Sequence, residues 1–478
     1  MPTAPDSPRN TRIVATIGPA SRDPAVLRAL LEAGVDVCRI NCSHSTAESI
    51  RTDVARIRRV AAEMKRPVGV LLDLQGPKIR TGASPTPILL QAGDVLRIHM
   101  DEAFIGTGNE VGTTWPAMSS EVKKGERVLF ADGALSGVVE SVHLLYVDVC
   151  MIHGGALGSH KGINLPDSDI QAPAMTDKDI ADLAVGVQAG ADFVALSFVR
   201  AAKDIIQLKE RLRDLGAADT PVIAKIEKPQ GVDNIDEILA VTDGIMVARG
   251  DLGVEMELEQ VPVVQKELIE RANLAGVLVI TATQMLDSME RNPTPTRAET
   301  TDVANAILDG TDAVMLSGET ANGLWPVRAV QVMDRIARNA EASRFLKRPD
   351  LNTLTCLAGP ARAVVRAACY AVRESPRPLA VFTWTGHVAI LASKSRPPMR
   401  LFAMTPHPQV ADRLCLAWGV TSVIVPVMNS TDTLIAAGET ALLNQGLVGR
   451  GSEIVVLAGN APLRGATNIM KLEIVDGA

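Results

Sequence analysis

The sequence predicts a parallel (β/α)8 barrel with a small all-β insertion and a separate α/β domain behind it. Three observations lead there. Eight short apolar runs rich in β-branched residues recur between residues 12 and 317, mostly separated by stretches of helical periodicity. One long interval, residues 82–172, alternates instead with a period of two. A polar segment at 347–353 then precedes a second α/β series.

In order, the barrel runs are 12–17, 35–40 and 68–73, then 192–198, 221–226, 244–248, 277–281 and 313–317. Such near-continuous apolar strands are buried on both faces, as in parallel sheets. Helical patterns at 24–33, 47–64, 203–215, 259–275 and 297–308 fill the intervals. Thr296 with Glu299 reads as a capping box opening the last of them. Eight strands and their crossovers make a TIM barrel, with a doubly wound open sheet as the structural alternative. Within the interruption, runs at 88–98, 127–133 and 138–149 are short and bounded by Gly, Asp and Asn. Inserted in a βα loop, this piece sits over the barrel mouth, where a lid belongs. Beyond the linker, a helix at 361–373 and strands at 379–383, 401–404, 421–425 and 453–458 describe the last domain. The expected division is therefore barrel at 1–81 and 173–345, β lid at 82–172, and a regulatory or oligomerisation domain at 346–478.

Composition narrows the function. The 478 residues are 47% hydrophobic, with 48 Lys+Arg against 55 Asp+Glu and a formal net charge of −7. That balance offers no global attraction for a phosphate backbone, and 3% aromatics argues against base stacking, so nucleic acid is not an expected partner. No apolar run reaches the ~20 residues of a membrane span. Residues 1–10 lack the apolar core of a secretory signal. The six cysteines (38, 42, 150, 356, 369 and 415) are scattered, which reads as reduced thiols in a cytoplasm. Cys38 and Cys42 with His44 hint at a metal site, against the plainer reading of two small apolar residues ending a strand.

Active sites of parallel barrels gather at the C-terminal ends of the strands. Here those ends are all polar: Gly18-Pro19, Arg39 with Asn41, Asp73, Ser197, Lys225-Ile-Glu227, Arg249-Gly-Asp251, Thr283-Gln284 and Ser317-Gly-Glu319. Strand alternation puts Lys225 and Glu227 on one face. Buried charges are costly unless paired or metal-bound. Any one of them alone reads as an ordinary salt bridge, but eight polar ends together point to a site. Glu227 and Asp251 are hard oxygen ligands suited to Mg2+. Lys225 and Arg39 are fixed cations aimed at the same space, an arrangement that suits a transferring phosphoryl group or an enolate. No Walker or Rossmann glycine loop is present. Residue chemistry thus leads to a Mg2+-dependent barrel enzyme acting on a small anionic substrate.

At these residues the sequence resembles the pyruvate kinase family. The resembling segments are Thr11-Arg-Ile-Val-Ala-Thr-Ile-Gly-Pro-Ala-Ser-Arg22, Arg39-Ile-Asn-Cys-Ser-His44, Ala224-Lys-Ile-Glu-Lys228, Met246-Val-Ala-Arg-Gly-Asp-Leu-Gly253, Ala282-Thr-Gln-Met-Leu286 and Met315-Leu-Ser-Gly-Glu-Thr320. The resemblance runs from about residue 11 to the C-terminus. It implies phosphoryl transfer from phosphoenolpyruvate to ADP, giving pyruvate and ATP. Glu227 and Asp251 would hold Mg2+, with Mn2+ able to replace it. Asp251 and the Gly250 backbone would also touch the substrate carboxylate. Lys225 would neutralise the phosphoryl group, Arg39 would bind the substrate phosphate, and Thr283 would lie against the enolate carbon, with Ser317 as a candidate proton donor through water. Asn41, Cys42, Ser43, His44, Arg80 and the lid residue Lys161 would contact the nucleotide. A cytoplasmic homotetramer is the implied assembly.

Two departures from the family pattern stand out. Family members that need K+ hold it with positions matching Asn41, Ser43, Asp73 and a following hydroxyl residue, which here is Leu74; the frequent Glu is replaced by Lys78. The expectation is that the Lys78 ammonium replaces K+ and that K+ is not required, the alternative being a solvated lysine. In Thr383-Trp-Thr-Gly-His-Val388, the resemblance is to an effector-phosphate loop, with Thr383, Thr385 and Gly386 as its binding residues. Val388 replaces a frequent hydroxyl residue, so fructose 1,6-bisphosphate is not the expected effector; another sugar phosphate, AMP, or no effector at all remain open. Two rivals are a Mg2+-dependent pyruvate-enolate lyase or mutase, separated by ADP dependence, and a catalytically silent metabolite sensor, which predicts losses among Lys225, Glu227, Asp251 and Thr283.

Overall fold

Each of the eight apolar runs forms a strand of one closed parallel barrel in the computed structural model, which describes residues 9–357, 360–428, 430–459 and 467–476. The reading of residues 1–10 as lacking a secretory signal falls almost wholly outside the described residues. In order the strands are Arg12–Thr16, Val37–Asn41, Gly69–Asp73, Phe193–Leu196, Val222–Ile226, Gly244–Ala248, Leu278–Ala282 and Ala313–Leu316. The first pairs in parallel with the eighth, Arg12 opposite Ala313, so the sheet closes and the doubly wound alternative is ruled out.

Alternation explains why both strand faces are apolar. Val14, Val37, Leu71, Ile223 and Ile280 belong to the cluster that fills the barrel. Their neighbours Ile13, Cys38, Val70, Leu72 and Ala224 join the outer layer that packs against the helices. The helix Arg297–Asp309 starts at the expected Thr296–Glu299 capping box and stops at Gly310, whose φ of 106° is a left-handed conformation suited to glycine.

The floor of the barrel carries a repeating device. Asp36, Asp192, Asp243 and Asp312 stand just before the second, fourth, sixth and eighth strands. Each accepts a backbone N–H from the preceding odd-numbered strand: Ile13 to Asp36 at 2.9 Å, Val70 to Asp192 at 2.7 Å, Val222 to Asp243 at 2.9 Å, and Val279 to Asp312 at 2.9 Å. The C-terminal domain docks on this floor. Lys394 and Arg396 reach Asp312, and Arg58 bridges Asp192 to Asp412.

Between the third and fourth barrel strands lies the β insertion. Its main sheet has six strands (Val95–His99, Glu110–Gly112, Arg127–Phe130, Leu135–Val142, Tyr146–His153 and Ile163–Asn164) and its own apolar cluster, including Leu96, Phe130 and Val149. The C-terminal sheet orders Val420–Ile424, Leu401–Thr405, Leu379–Phe382, Glu453–Gly459 and Thr467–Ile474 side by side. Its last strand is antiparallel. Among the described residues, no helix is long and apolar enough to cross a membrane.

Candidate active site at the barrel mouth

Two residues above the apolar barrel filling, the inward positions become polar. Val14 is succeeded by Thr16, Val37 by Arg39, Leu71 by Asp73 and Ile223 by Lys225, so the layer follows directly from strand alternation. Asp73 is its hub. One carboxylate oxygen accepts Arg39 Nε at 2.6 Å and the other lies 3.2 Å from Lys225 Nζ. Lys225 also reaches Glu227 Oε1 at 2.9 Å and Ser197 Oγ at 2.7 Å. Arg39 is steadied from its other side by Thr16 Oγ1 at 3.0 Å. Burial works to raise the Asp73 carboxyl, but Lys225 and Arg39 outweigh it and hold it below the usual carboxylate range. Burial likewise works to lower Lys225, and the charges of Asp73 and Glu227 outweigh it, so the ammonium stays protonated.

Glu227 is buried, and its second oxygen accepts the Phe198 N–H at 2.7 Å. Burial, reinforced by the like charge of Asp251, raises its carboxyl despite Lys225. Asp251 lies in the first turn of the helix Arg249–Glu255, which opens directly from the sixth strand. A buried carboxylate disfavoured by a second carboxylate is a pair that a cation would relieve. Among the described residues, no cluster of three or more His, Cys, Asp or Glu is arranged to hold a metal. Glu227 and Asp251 offer hard carboxylate oxygens, the donor type taken by Mg2+, an ion that keeps several waters of its own.

Thr283 has φ 67°, a conformation costly for a β-branched residue. Its Oγ1 donates to the Ala282 carbonyl and accepts the Gly250 N–H, both at 2.7 Å. The Gly250 amide expected to face a substrate carboxylate is therefore engaged by Thr283. Ser317 stands at the end of the eighth strand with a buried Oγ that has no hydrogen-bond partner. Its backbone N–H donates to Glu319, whose other oxygen takes the Leu286 N–H, so buried Glu319 ties the seventh and eighth strand ends together.

Asn41 ends the second strand and Cys42–His44 follow as one turn of 3-10 helix, capped by Asn41 Oδ1, which accepts the Ser43 N–H at 3.1 Å. Arg80 and Lys161 meet at the joint between barrel and lid. Arg80 donates to the His160 carbonyl at 3.2 Å, and the Lys161 backbone exchanges hydrogen bonds with Thr81. Cys42 departs from the expectation: its side chain is fully buried in the outer barrel layer, and burial pushes its thiol up. A nucleotide could reach only its backbone, whose carbonyl already accepts Lys178 Nζ at 2.7 Å. Lys78 also departs from it. Its ammonium lies 3.1 Å from Asp132 of the lid rather than beside Asp73, because both Asp73 oxygens already face cations.

In the C-terminal domain, Thr383 Oγ1 accepts the Gly386 N–H at 2.9 Å, so that hydroxyl shapes its own loop. The loop borders a cavity of about 660 Å3 whose walls include Trp384, Thr385, His387, His407 and Arg413. Trp384 and His407 meet edge to face at 4.4 Å, and His407 Nε2 is buried without a partner.

The sequence places Asp73 among the polar strand ends and the possible K+ ligands, but does not reveal its pairing with both Arg39 and Lys225. Nor does it reveal the support that Thr16 gives Arg39, or that Glu319, named as part of a polar strand end, joins two strand ends. Their partners come from other strands around the barrel, a proximity no local pattern carries.

Comparison with known proteins agrees with this geometry. A family model described as pyruvate kinase, barrel domain, matches residues 8–330, and one described as pyruvate kinase, alpha/beta domain, matches residues 362–473. A pyruvate kinase of Bacillus licheniformis is 42% identical over 98% of this chain and 80% of its own length. One from Clostridium acetobutylicum is 39% identical over 98% of this chain and all of its own. The crystal structure of a pyruvate kinase from Cryptosporidium parvum superposes with a TM-score of 0.91 at 34% identity, covering 98% of this chain and 96% of that one.

Proposed function

The chain belongs to the pyruvate kinase family of glycolytic phosphotransferases, and from that premise we propose that it moves the phosphoryl group of phosphoenolpyruvate to ADP, leaving pyruvate and ATP. The observation that carries this reading is the Arg39–Asp73–Lys225–Glu227 network, two cations and two carboxylates fixed by one another at the barrel mouth.

Phosphoryl transfer asks mainly for positioning and charge. Arg39, held by Asp73 and Thr16, binds the substrate phosphate. Lys225 meets the phosphoryl group in flight with a charge that Asp73 and Glu227 keep in place. Glu227 and Asp251 would hold Mg2+, or Mn2+ in its place. When bound there, the ion would supply further positive charge for phosphoryl transfer. The substrate carboxylate takes the Gly250 N–H from Thr283 and lies near Asp251. Thr283 then borders the enolate carbon, and Ser317, whose hydroxyl lacks a protein partner, passes a proton to it through water. Asn41, Ser43 and His44, with the backbone of Cys42, meet the nucleotide from the barrel side, and Arg80 and Lys161 meet it from the lid joint. Closure of residues 82–172 over residues 1–81 and 173–345 excludes water, so phosphate reaches ADP instead of being hydrolysed.

The residues do not fit K+. Asp73 is fully paired, Asn41 Oδ1 caps its own turn, and Leu74 offers no side-chain oxygen. The enzyme is accordingly read as K+-independent. Residues 346–478 are read as regulatory, with a sugar phosphate or AMP in the cavity behind Thr383, Thr385 and Gly386, and the assembly as a cytoplasmic homotetramer. Family membership supports the assembly, and sedimentation velocity tests it. The function itself is tested by pyruvate formation from phosphoenolpyruvate and Mg2+ with and without ADP. ADP-dependent turnover is expected; pyruvate formed equally without ADP would favour a lyase, and none under either condition a sensor.

A further inference from the structure

Glu255 lies away from the reacting groups, yet it joins three segments that carry them. It is the last residue of the helix Arg249–Glu255, one turn beyond Asp251. Its side chain is 1% exposed. Oε1 accepts Lys228 Nζ at 2.9 Å and Asn164 Nδ2 at 2.7 Å. Lys228 directly follows Glu227. Asn164 ends the lid strand Ile163–Asn164, which pairs with Arg127–Phe130 of the main lid sheet. The same strand leads back through Gly162, which bridges to Arg80, to Lys161.

The second half of each side chain is buried too. Glu255 Oε2 and Asn164 Oδ1 have no hydrogen-bond partner, and both residues line a cavity of about 40 Å3 with Lys78, Phe198 and Arg200. Two buried acceptors beside a space of that size can share the hydrogens of one water, which needs roughly 10–15 Å3.

We propose that Glu255 is a positioning residue: its carboxylate, held by Asn164 and Lys228, latches the lid to the two backbone segments that present Glu227 and Asp251. Residues i and i+4 lie on one helix face, so a pull on Glu255 is felt at Asp251. Nucleotide contacts at the lid joint and metal and substrate contacts at the mouth are thereby coupled, and the coupling is reciprocal. The inference rests on the phosphotransferase reading for its kinetic arm only.

The test compares wild type, Asn164→Ala and Glu255→Gln by hydrogen exchange and by the KM for phosphoenolpyruvate at low and saturating ADP. Asn164→Ala, a change confined to the lid, is expected to speed exchange of amides 250–255 at least threefold while the C-terminal strands keep their protection. It should also raise the KM for phosphoenolpyruvate about threefold or more and bring its low-to-saturating-ADP ratio towards one. Glu255→Gln keeps an acceptor for Asn164 and should fall between the two. Unchanged exchange at 250–255 in Asn164→Ala would overturn the latch, as would faster exchange throughout the chain with an unaltered KM. A wild type inactive with ADP would remove the catalytic reading, while the exchange arm still decided the latch.

Discussion

Lys78 and Asp132 meet at 3.1 Å across the joint between barrel and lid. The lysine at this position therefore spends its charge on the lid, and the proposed K+ independence rests instead on the pairing of Asp73 and Asn41 and on the missing side-chain oxygen at Leu74. Initial rates in tetramethylammonium buffer should match those in K+ within twofold. Lys78→Met should raise the KM for ADP severalfold, by loosening the lid, without creating a K+ requirement. Strong activation of the wild type by K+ would sink the independence claim. Activation of Lys78→Met alone would return Lys78 to the role of cation surrogate.

Replacing Lys225 by Met removes the charge between Asp73 and Glu227. By analogy with the loss of one preorganised electrostatic group, kcat should fall by about a thousandfold. Leaving buried Glu227 without its cation, and Asp73 with Arg39 alone, should also cost about 3–5 kcal/mol of stability. Steady-state kinetics and urea denaturation measure the two effects separately. A variant that keeps kcat within tenfold would show that Lys225 only stabilises the barrel.

Thr283 combines a left-handed backbone with a hydroxyl held between Ala282 and Gly250. Thr283→Ala removes the hydroxyl proposed to border the enolate carbon and should lower kcat/KM for phosphoenolpyruvate about tenfold or more, while Thr283→Ser, which keeps the hydroxyl, should stay within threefold of wild type. A neutral hydrogen bond contributes on the order of 1 kcal/mol, so the stability of both variants should change little. Equal losses in both would assign the effect to the β-branched methyl group instead.

How much of this was legible beforehand depends on how local the signal is. The run 244–248 coincides with the strand Gly244–Ala248, because a strand buried on both faces announces itself in its own composition. Lys225 and Glu227 were readable as facing one way from the two-residue period alone. The strand Thr467–Ile474 was not read: half-exposed and mixed in polarity, it is an edge strand whose pairing with Glu453–Gly459 supplies what its composition lacks. The helix His387–Lys394 was missed because one short apolar turn pattern resembles a strand. Gly-x-Asp precedes the second, fourth and eighth barrel strands openly in the sequence, but the N–H groups those aspartates accept belong to strands tens to more than a hundred residues away in some cases, so only closure of the barrel reveals their purpose.

Among those floor aspartates, Asp192 carries a pH signature. Burial pushes its carboxyl up to about 6 from an ordinary 3.8, with Asp412 adding like charge, while Arg58 and the Val70 N–H oppose the shift. Between those two values the folded protein holds a proton that the unfolded chain has released. Stability from this group therefore falls as pH rises from about 4 to 6 and is level above that. At ~1.36 kcal/mol per pH unit the interval amounts to roughly 3 kcal/mol. Asp192→Asn keeps an acceptor for the Val70 N–H but cannot titrate, and Arg58 retains Asp412 at 3.3 Å. Urea denaturation at half-unit steps from pH 4 to 7 should show the variant's stability rising relative to wild type up to pH 6 and running parallel beyond it. Parallel curves across the whole range would mean that Asp192 is already ionised at pH 4, with Arg58 outweighing burial.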